Sequence, residues 1–330
     1  MSRNETVCVI IAAKNAEETI GRAVRSALAE PEVAEVVVVD DGSGDRTMAA
    51  AGAADDGSGR LDIVRFPANR GPSAARNHAI SHSRAPLIAI LDADDFFFPG
   101  RFRPMLACRD WDFIADNIAF MERAEPARLP ADFAPNPRPL DLEAFVLGNI
   151  SRRGAARGEL GFLKPVMRRN FLAAHGLAYR EDMRLGEDYD LYVRALMAGA
   201  RYTLIESCGY GAVVRADSLS GRHRTKDLEA LLGAERAILS AGNVPSGAAD
   251  AMRRHHRQIG RRHALRAFLD RKRAEGMGGV LAYALENPPA MPAIAGGILR
   301  DKLAAAQRRL KPPQPAPKGG LRYLLPVDQK

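Results

Sequence analysis

The apolar positions in the first hundred residues form short, unbroken runs separated by stretches with helical spacing. Four runs have the length and composition of strands buried on both faces: Val7–Ala13, Val36–Val39, Leu61–Phe66 and Leu87–Leu91. Between the first two runs, Ile20, Val24 and Leu28 recur at helical spacing, and a further helix is predicted over Pro72–Ser83. This alternation predicts an α/β fold with a mostly parallel sheet and helices on both faces.

Three carboxylates follow the fourth predicted strand, at Asp92, Asp94 and Asp95. Ligand sites of open parallel sheets lie outside the carboxyl ends of their strands. Carboxylates this close repel one another and raise each other's pKa unless a cation lies among them. The pattern therefore favours a site for Mg²⁺ or Mn²⁺, and the alternative is an acidic turn whose side chains are solvated.

The turn after the first strand bears on which nucleotide class could bind. It reads Ala12-Ala13-Lys14-Asn15 and has no GxGxxG pattern, so a dinucleotide-binding Rossmann domain is not favoured. Asn15, followed three residues later by Glu18, is typical of a helix start. Acids instead end strands two and four, which favours a nucleotide whose phosphates are held by a metal.

Five motifs occur in an order and spacing that resembles family 2 glycosyltransferases, which have the Rossmann-like GT-A fold. The similarity covers about residues 5 to 225 and is carried by Val9–Asn15, Val38–Ser43, Asn69–Asn77, Leu91–Asp95 and Gly186–Asp188. Within the family, the chain looks most like the non-processive bacterial enzymes that add glucose to exopolysaccharide repeat units. A processive synthase is less favoured because the QxxRW motif is absent.

The resemblance implies a role for each matching residue. Nucleotide binding is assigned to Ala12, Ala13, Asn15, Asp41, Arg76 and Asp92, and metal binding to Asp94 and Asp95. The second acid of the ED motif, Asp188, matches the family's general base, with Glu187 beside it. Contacts with the diphosphate or acceptor are assigned to Lys164, Arg215 and Ser218.

Two of these assignments have structural alternatives, and one position departs from the family pattern. Arg76 could instead be a helix-surface arginine that pairs with a neighbouring acid. Glu187 and Asp188 could be acids that the dipole favours at a helix start. At Ala12-Ala13 the family more often has Pro-Thr or Pro-Ser, so any contact there comes from the backbone.

The resemblance implies a metal-dependent, inverting transfer of a hexose, most simply glucose from UDP-glucose. The acceptor it implies is a lipid-linked oligosaccharide in bacterial exopolysaccharide biosynthesis, and the cofactor is Mg²⁺ or Mn²⁺. Two other classes stay open at this point. A sugar nucleotidyltransferase would share the fold and the metal, and a non-catalytic nucleic-acid-binding protein would account for the basic charge.

Charge divides the chain into two parts. Residues 1–250 hold 31 Lys and Arg against 35 Asp and Glu, a balance of −4, whereas residues 251–330 hold 17 against 5, a balance of +12. We therefore expect a glycosyltransferase domain over 1–227 and a basic, mostly helical region over 228–330. Such a region suits an anionic membrane surface, a nucleic acid, a phosphorylated acceptor or simply water.

The pattern of apolar residues and cysteines bears on the setting of the protein. The stretch 277–299 is apolar but interrupted by Pro288, Pro289 and Pro292, so it could dip into a lipid interface without spanning it. The three cysteines are far apart in sequence and have no CxxC partner. With no signal-peptide pattern at the start, we expect a cytoplasmic protein bound peripherally to the inner membrane face.

Overall fold

The computed structural model describes residues 5–122, 133–151, 159–214, 224–310 and 321–326. Side chains are described throughout these ranges, except at residues 300, 301 and 304–310. The chain forms two compact units. The first comprises residues 1–216 and 321–330, and the second comprises residues 217–320.

Four parallel strands form one half of the sheet in the first unit. They are β1 (Val7–Ala13), β2 (Val33–Asp40), β3 (Leu61–Arg65) and β4 (Leu87–Ile90), in the order β3-β2-β1-β4. The helices between them are α1 (Ile20–Leu28), α2 (Thr47–Gly52) and α3 (Pro72–His82). β1 and β4 are almost wholly buried because other strands flank them and helices cover them, as their apolar runs predict.

The start of α1 differs from the sequence prediction. The helix begins at Ile20 with Thr19 as its N-cap, whereas Asn15 has a positive φ of 48° and lies in the loop after β1. The Asn15 side chain accepts a hydrogen bond from the backbone of Gly44 (3.0 Å) instead of capping a helix. The predicted capping by Asn15 is therefore wrong, because that side chain binds the loop after β2.

The second half of the sheet contains strands that the sequence pattern did not predict. In chain order the elements are β5 (Phe96–Phe97), α4 (Phe102–Leu106), β6 (Phe113–Met121), β7 (Arg138–Pro139), α5 (Leu142–Leu147), β8 (Val166–Arg168), α6 (Arg169–Ala174), α7 (Glu187–Met197) and β9 (Tyr202–Val213). The sheet continues from β4 as β8-β6-β9-β5. β8 is antiparallel to both neighbours, and β6 is parallel to β9. The α/β class with a mostly parallel central sheet is confirmed.

Residues 321–326 return to the sheet of the first unit. The two residues of β10, Arg322 and Tyr323, pair antiparallel with Phe120 and Ala119 of β6. Two further bonds hold the same segment: Asn117 Nδ2 donates to the Leu325 carbonyl (3.2 Å), and the Leu325 N–H donates to Asn117 Oδ1 (2.8 Å). The buried Asn117 side chain is thus satisfied by a segment about two hundred residues away in sequence.

The second unit is helical in its described residues, as predicted. It contains α8 (Thr225–Ser240), α9 (Ser246–Glu286) and α10 (Met291–Leu310), with a short 3₁₀ turn at Pro288–Ala290. Gly276 interrupts α9 with a φ of 64°, a conformation that suits glycine. None of the helices in the described part of the chain is both long and apolar enough to cross a lipid bilayer.

Candidate active site

Four segments that are distant in sequence bring charged side chains together in the first unit. Asp92 follows β4, Arg76 lies within α3, and Lys164 immediately precedes β8. Glu187 and Asp188 form the first turn of α7. We call Arg76, Asp92, Lys164, Glu187 and Asp188 the charged cluster. Each of the five is a residue to which the sequence assigned a role at the site.

Arg76 contacts all three acids of the charged cluster. Its Nη1 donates to Glu187 Oε1 (2.8 Å), and its Nη2 donates to Asp92 Oδ1 (3.1 Å). The same Nη1 lies 3.7 Å from Asp188 Oδ1. Burial lowers the pKa of Arg76, but the three carboxylates outweigh it and raise that pKa well above its usual value. Arg76 is buried, so the alternative of a helix-surface arginine is wrong.

Lys164 joins the acid after β4 to the predicted general base. Its Nζ lies 2.8 Å from Asp188 Oδ2 and 3.1 Å from Asp92 Oδ2. Burial acts to raise the pKa of Asp92, but the charges of Lys164 and Arg76 outweigh it and hold that pKa at about 2. Conversely, Asp188 and Asp92 outweigh burial and raise the pKa of Lys164. All three groups are therefore charged at neutral pH.

Asp188 uses only one of its two carboxylate oxygens. Oδ2 accepts from Lys164, whereas Oδ1 is buried and has no hydrogen-bond partner among the described residues. The Tyr179 hydroxyl, whose pKa is raised by burial and then by Asp188, is likewise without a hydrogen bond there. Asn77 holds the Tyr179 backbone through two hydrogen bonds of 2.9 Å. Such a carboxylate can take a proton from a hydroxyl brought to its open oxygen.

The N-terminus of α7 shows how much of the ED motif is structural. Gly186 has a φ of 74°, which turns the chain into the helix, and Glu187, Asp188 and Asp190 occupy the first turn. Asp190 pairs with Arg194 (2.7 Å), which is one helical turn further along. The helix dipole favours all three acids. It gives no reason for the open oxygen of Asp188.

Asp95 is tied to β9, and Asp94 is less enclosed. Asp95 accepts hydrogen bonds from the Tyr210 hydroxyl (2.8 Å) and the Val213 N–H (2.9 Å). Burial, followed by the charges of Asp92 and Asp94, raises the pKa of Asp95 to about 8. Asp94 is partly exposed. Negative charge is thus concentrated at the end of β4, where a cation would relieve it.

A divalent cation fits these residues only as an ion shared with a substrate. No group of three or more His, Cys, Asp or Glu side chains in the described ranges has the geometry of a metal site. Mg²⁺ in nucleotide enzymes is commonly held by one or two carboxylates, water and the substrate's phosphates. Asp94, with Asp95 behind it, suits that arrangement.

The predicted base-binding residues meet where β1 and β2 end. The Asp41 carboxylate accepts from the backbone N–H groups of Arg70 (2.6 Å) and Gly71 (2.9 Å). The Asp41 N–H donates to the carbonyl of Ala13, which with Ala12 ends β1, and the Asn15 N–H donates to Ser43 Oγ. The loops after these strands are therefore fixed to each other. Arg215 and Ser218 lie outside the described residues.

Sequence reasoning missed two tyrosines at the site. The Tyr210 hydroxyl donates to Asp95 and accepts from the Asp92 N–H (3.2 Å), so it orders the segment after β4. Tyr179 lies in the loop before α7. Neither belongs to a motif, and no local pattern distinguishes them from core tyrosines.

Comparison with known proteins gives a consistent family. The model of glycosyl transferase family 2 matches residues 8–118. The chain is 60% identical to succinoglycan biosynthesis protein ExoU of Rhizobium meliloti, over 98% of this chain and 97% of that protein. It is 35% identical to succinoglycan biosynthesis protein ExoO of the same organism, over 92% of this chain and 86% of that one.

A solved structure supports the fold. The crystal structure of residues 1–349 of S. aureus TarS, in complex with UDP-GlcNAc, aligns with a TM-score of 0.59 and 20% identity. The alignment covers 86% of this chain and 78% of that chain. A likeness at this identity speaks for the fold alone, and it confirms the GT-A architecture that the motifs predict.

Proposed function

The chain belongs to glycosyltransferase family 2, and from that premise we propose that it is an inverting, metal-dependent hexosyltransferase of bacterial exopolysaccharide biosynthesis. The proposed donor is UDP-glucose, and the acceptor is a hydroxyl of a lipid-linked oligosaccharide. The assignment to succinoglycan biosynthesis rests on the 60% identity to ExoU over nearly the whole chain. A UDP-sugar donor is supported by the shared fold of TarS, which was crystallised with UDP-GlcNAc.

The open oxygen of Asp188 is the observation that carries the mechanism. Lys164 holds Oδ2 at 2.8 Å, so the carboxylate has a fixed orientation while Oδ1 has no hydrogen-bond donor. An acceptor hydroxyl placed at Oδ1 would give up its proton to Asp188 as its oxygen attacks the anomeric carbon. In-line attack on the face opposite the diphosphate inverts the configuration, and an α-linked donor then gives a β-glycoside.

The rest of the charged cluster would position the donor. Arg76 and Lys164 hold Asp92 ionised and fixed, so its carboxylate is oriented before a nucleotide arrives. The loops of Ala12, Ala13, Asn15 and Asp41 would receive the base end. We assign Arg215 and Ser218 to the diphosphate, as the motif order suggests. A divalent cation at Asp94 and Asp95, when bound, would neutralise the charge that develops on the departing diphosphate.

The test is a product analysis of the full-length protein with a panel of nucleotide sugars, with and without Mn²⁺. We expect release of UDP from UDP-glucose in the presence of the metal and transfer to a lipid-linked acceptor with inversion. Pyrophosphate release from a nucleoside triphosphate would instead identify a nucleotidyltransferase. Salt-dependent binding of DNA or RNA without nucleotide-sugar turnover would identify a nucleic-acid-binding protein.

The metal assignment has its own measurement, which does not need turnover. Calorimetry of UDP binding should show an affinity gain on adding Mn²⁺ that Asp94→Ala removes. Asp62→Ala is a suitable control, because Asp62 is an exposed carboxylate on β3. Metal-enhanced UDP binding that persists in Asp94→Ala would contradict the assignment of Asp94.

A further inference from the structure

Exposed apolar side chains are concentrated in one part of the second unit. Seven large hydrophobic side chains are exposed among the described residues, and five lie in 277–303: Met277, Leu281, Leu285, Leu299 and Leu303. The first three are spaced four residues apart, so they share one face of the helical segment that follows Gly276. Leu299 and Leu303 have the same spacing on α10. We call these five residues the apolar face.

The core of the second unit does not use the apolar face. The inner side of the same segment carries Tyr283, whose ring packs edge-on against Phe268 with centroids 5.8 Å apart. The Tyr283 hydroxyl also donates to the Ala264 carbonyl (3.3 Å), and Ile294 of α10 completes this core. Because the inner side is already packed, the apolar face is available to something outside this core.

Charge indicates what that something is. No charged residue occurs between Glu275 and Glu286, or between Glu286 and Arg300. Directly before Gly276 the chain reads Arg271-Lys272-Arg273, and the Arg273 side chain is 82% exposed. Helices with an apolar face and a basic border lie in the interface of anionic membranes. A second copy of this chain would bring like charge to the same place.

We infer that the apolar face inserts into the interface of an anionic lipid membrane, with Lys272 and Arg273 on the lipid phosphates. The insertion is shallow, because side chains on one helix face reach only the boundary between headgroups and acyl chains. The inference goes beyond sugar transfer, since lipid binding can be measured without donor or acceptor.

The experiment is sedimentation of the full-length protein with vesicles of phosphatidylglycerol and phosphatidylcholine, beside vesicles of phosphatidylcholine alone. The test variant is Leu281→Glu/Leu285→Glu. Its matched control is Ala237→Glu/Ser240→Glu, which adds the same charge at exposed positions of α8. We expect the test variant to lose at least about tenfold in affinity for the anionic vesicles and the control to lose much less.

A second readout locates the inserted face without disturbing it. The chain has a single tryptophan, Trp111, which is fully buried and therefore insensitive to vesicles. Met277→Trp should show a blue shift of its emission when anionic vesicles are added, because the indole leaves water. An unshifted emission would overturn the inference, even if the double variant proved unstable.

Two other outcomes would also overturn it. Equal losses in the test variant and its control would mean that charge alone binds the lipid. A dimer by light scattering that Leu281→Glu/Leu285→Glu splits, without vesicle binding by the wild type, would give the apolar face to a second copy. UDP-sugar hydrolysis by the same proteins reports separately on the proposed function.

Discussion

Two buried clusters of charge in the first unit use the same kinds of side chain but differ in how their carboxylates are satisfied. Asp116 is saturated: Arg101 Nη2 donates to Oδ1 (2.9 Å), and the Gly209 N–H donates to Oδ2 (2.8 Å). The Arg101 guanidinium also lies 4.5 Å from the centre of the Phe97 ring. In the charged cluster, Asp188 has one oxygen bound by Lys164 and the other open.

The difference separates a structural pair from a reactive one. A saturated buried carboxylate has no remaining site for a substrate proton, so its role is to hold β6 and β9 to the start of α4. A buried carboxylate with an open oxygen costs free energy in the folded chain and calls for an explanation in function. Lys164 belongs to both clusters, since its carbonyl accepts from Arg101 Nη2 (2.6 Å).

Asp188→Asn should have the largest effect and would break the comparison if it had none. The amide keeps the shape and an oxygen for Lys164 but cannot accept a proton, so transfer should fall on the order of 100- to 10,000-fold. Melting temperature and UDP-glucose affinity should hold. Glu187→Gln is the control, because Glu187 pairs with Arg76 and is not the proposed base. A wild-type rate in Asp188→Asn, with loss in Glu187→Gln, would move the base to Glu187.

Arg101→Met should have the opposite profile. It leaves Asp116 buried without its cation, which typically costs about 3–5 kcal/mol of unfolding free energy. The melting temperature should fall steeply, while the activity per folded molecule at low temperature stays near wild type. Arg101→Met/Asp116→Leu should recover much of the stability, because it removes the unpaired charge as well. An unchanged melting temperature in the single variant would show that the saturated pair does not stabilise the fold.

Lys164→Met should combine both losses at a smaller scale. Removing a charged hydrogen-bond donor costs about 1–3 kcal/mol, so the melting temperature should fall less than in Arg101→Met. The pKa of Asp92 should rise, because Lys164 is its strongest opposing charge. Transfer should fall because Asp188 and Asp92 lose their common anchor, and Lys164→Arg should restore part of it. Loss of activity with no loss of stability would remove Lys164 from the structural side of the comparison.

Asp112→Asn gives the baseline of a surface pair and the smallest effect. Hydrogen bonds from Arg201 lower the pKa of Asp112 more than burial raises it. Arg201 is exposed, so we expect a cost of about 1 kcal/mol or less. Because the folded pKa lies below the unfolded value of about 3.9, this stabilisation is present above pH 4 and fades as the pH falls through the lowered pKa. Melting temperatures of both proteins between pH 7 and pH 3 should converge, and a constant gap would contradict the assignment.

Local pattern was sufficient for the elements that frame the site. The predicted first strand matches β1 residue for residue, and the predicted Pro72–Ser83 helix extends one residue beyond α3. These elements are short, strongly apolar or bounded by turn residues, so sequence spacing alone specifies them. The exception was the start of α1, where Asn15 found a partner in the neighbouring loop, a contact that only the tertiary structure creates.

The charged cluster shows where such reasoning stops. The motifs gave Asp92 and Asp188, but nothing in the sequence joins them through Lys164, which lies outside any regular element. Tyr179 and Tyr210 reach the site from a loop and from β9, and both depend on contacts across more than a hundred residues. Contacts of this range arise from the packed sheet and leave no periodic trace.

The pairing of β10 with β6 sets an order for synthesis on the ribosome. β6 ends at Met121 and its partner begins at Arg322, so about two hundred residues are translated between them. At about 5–20 residues per second, that interval lasts roughly 10–40 s. During this time part of β6 lacks its partner, and unpaired strand edges are sites of aggregation. We therefore expect nascent chains stalled before residue 322 to depend on chaperones more than the released protein does.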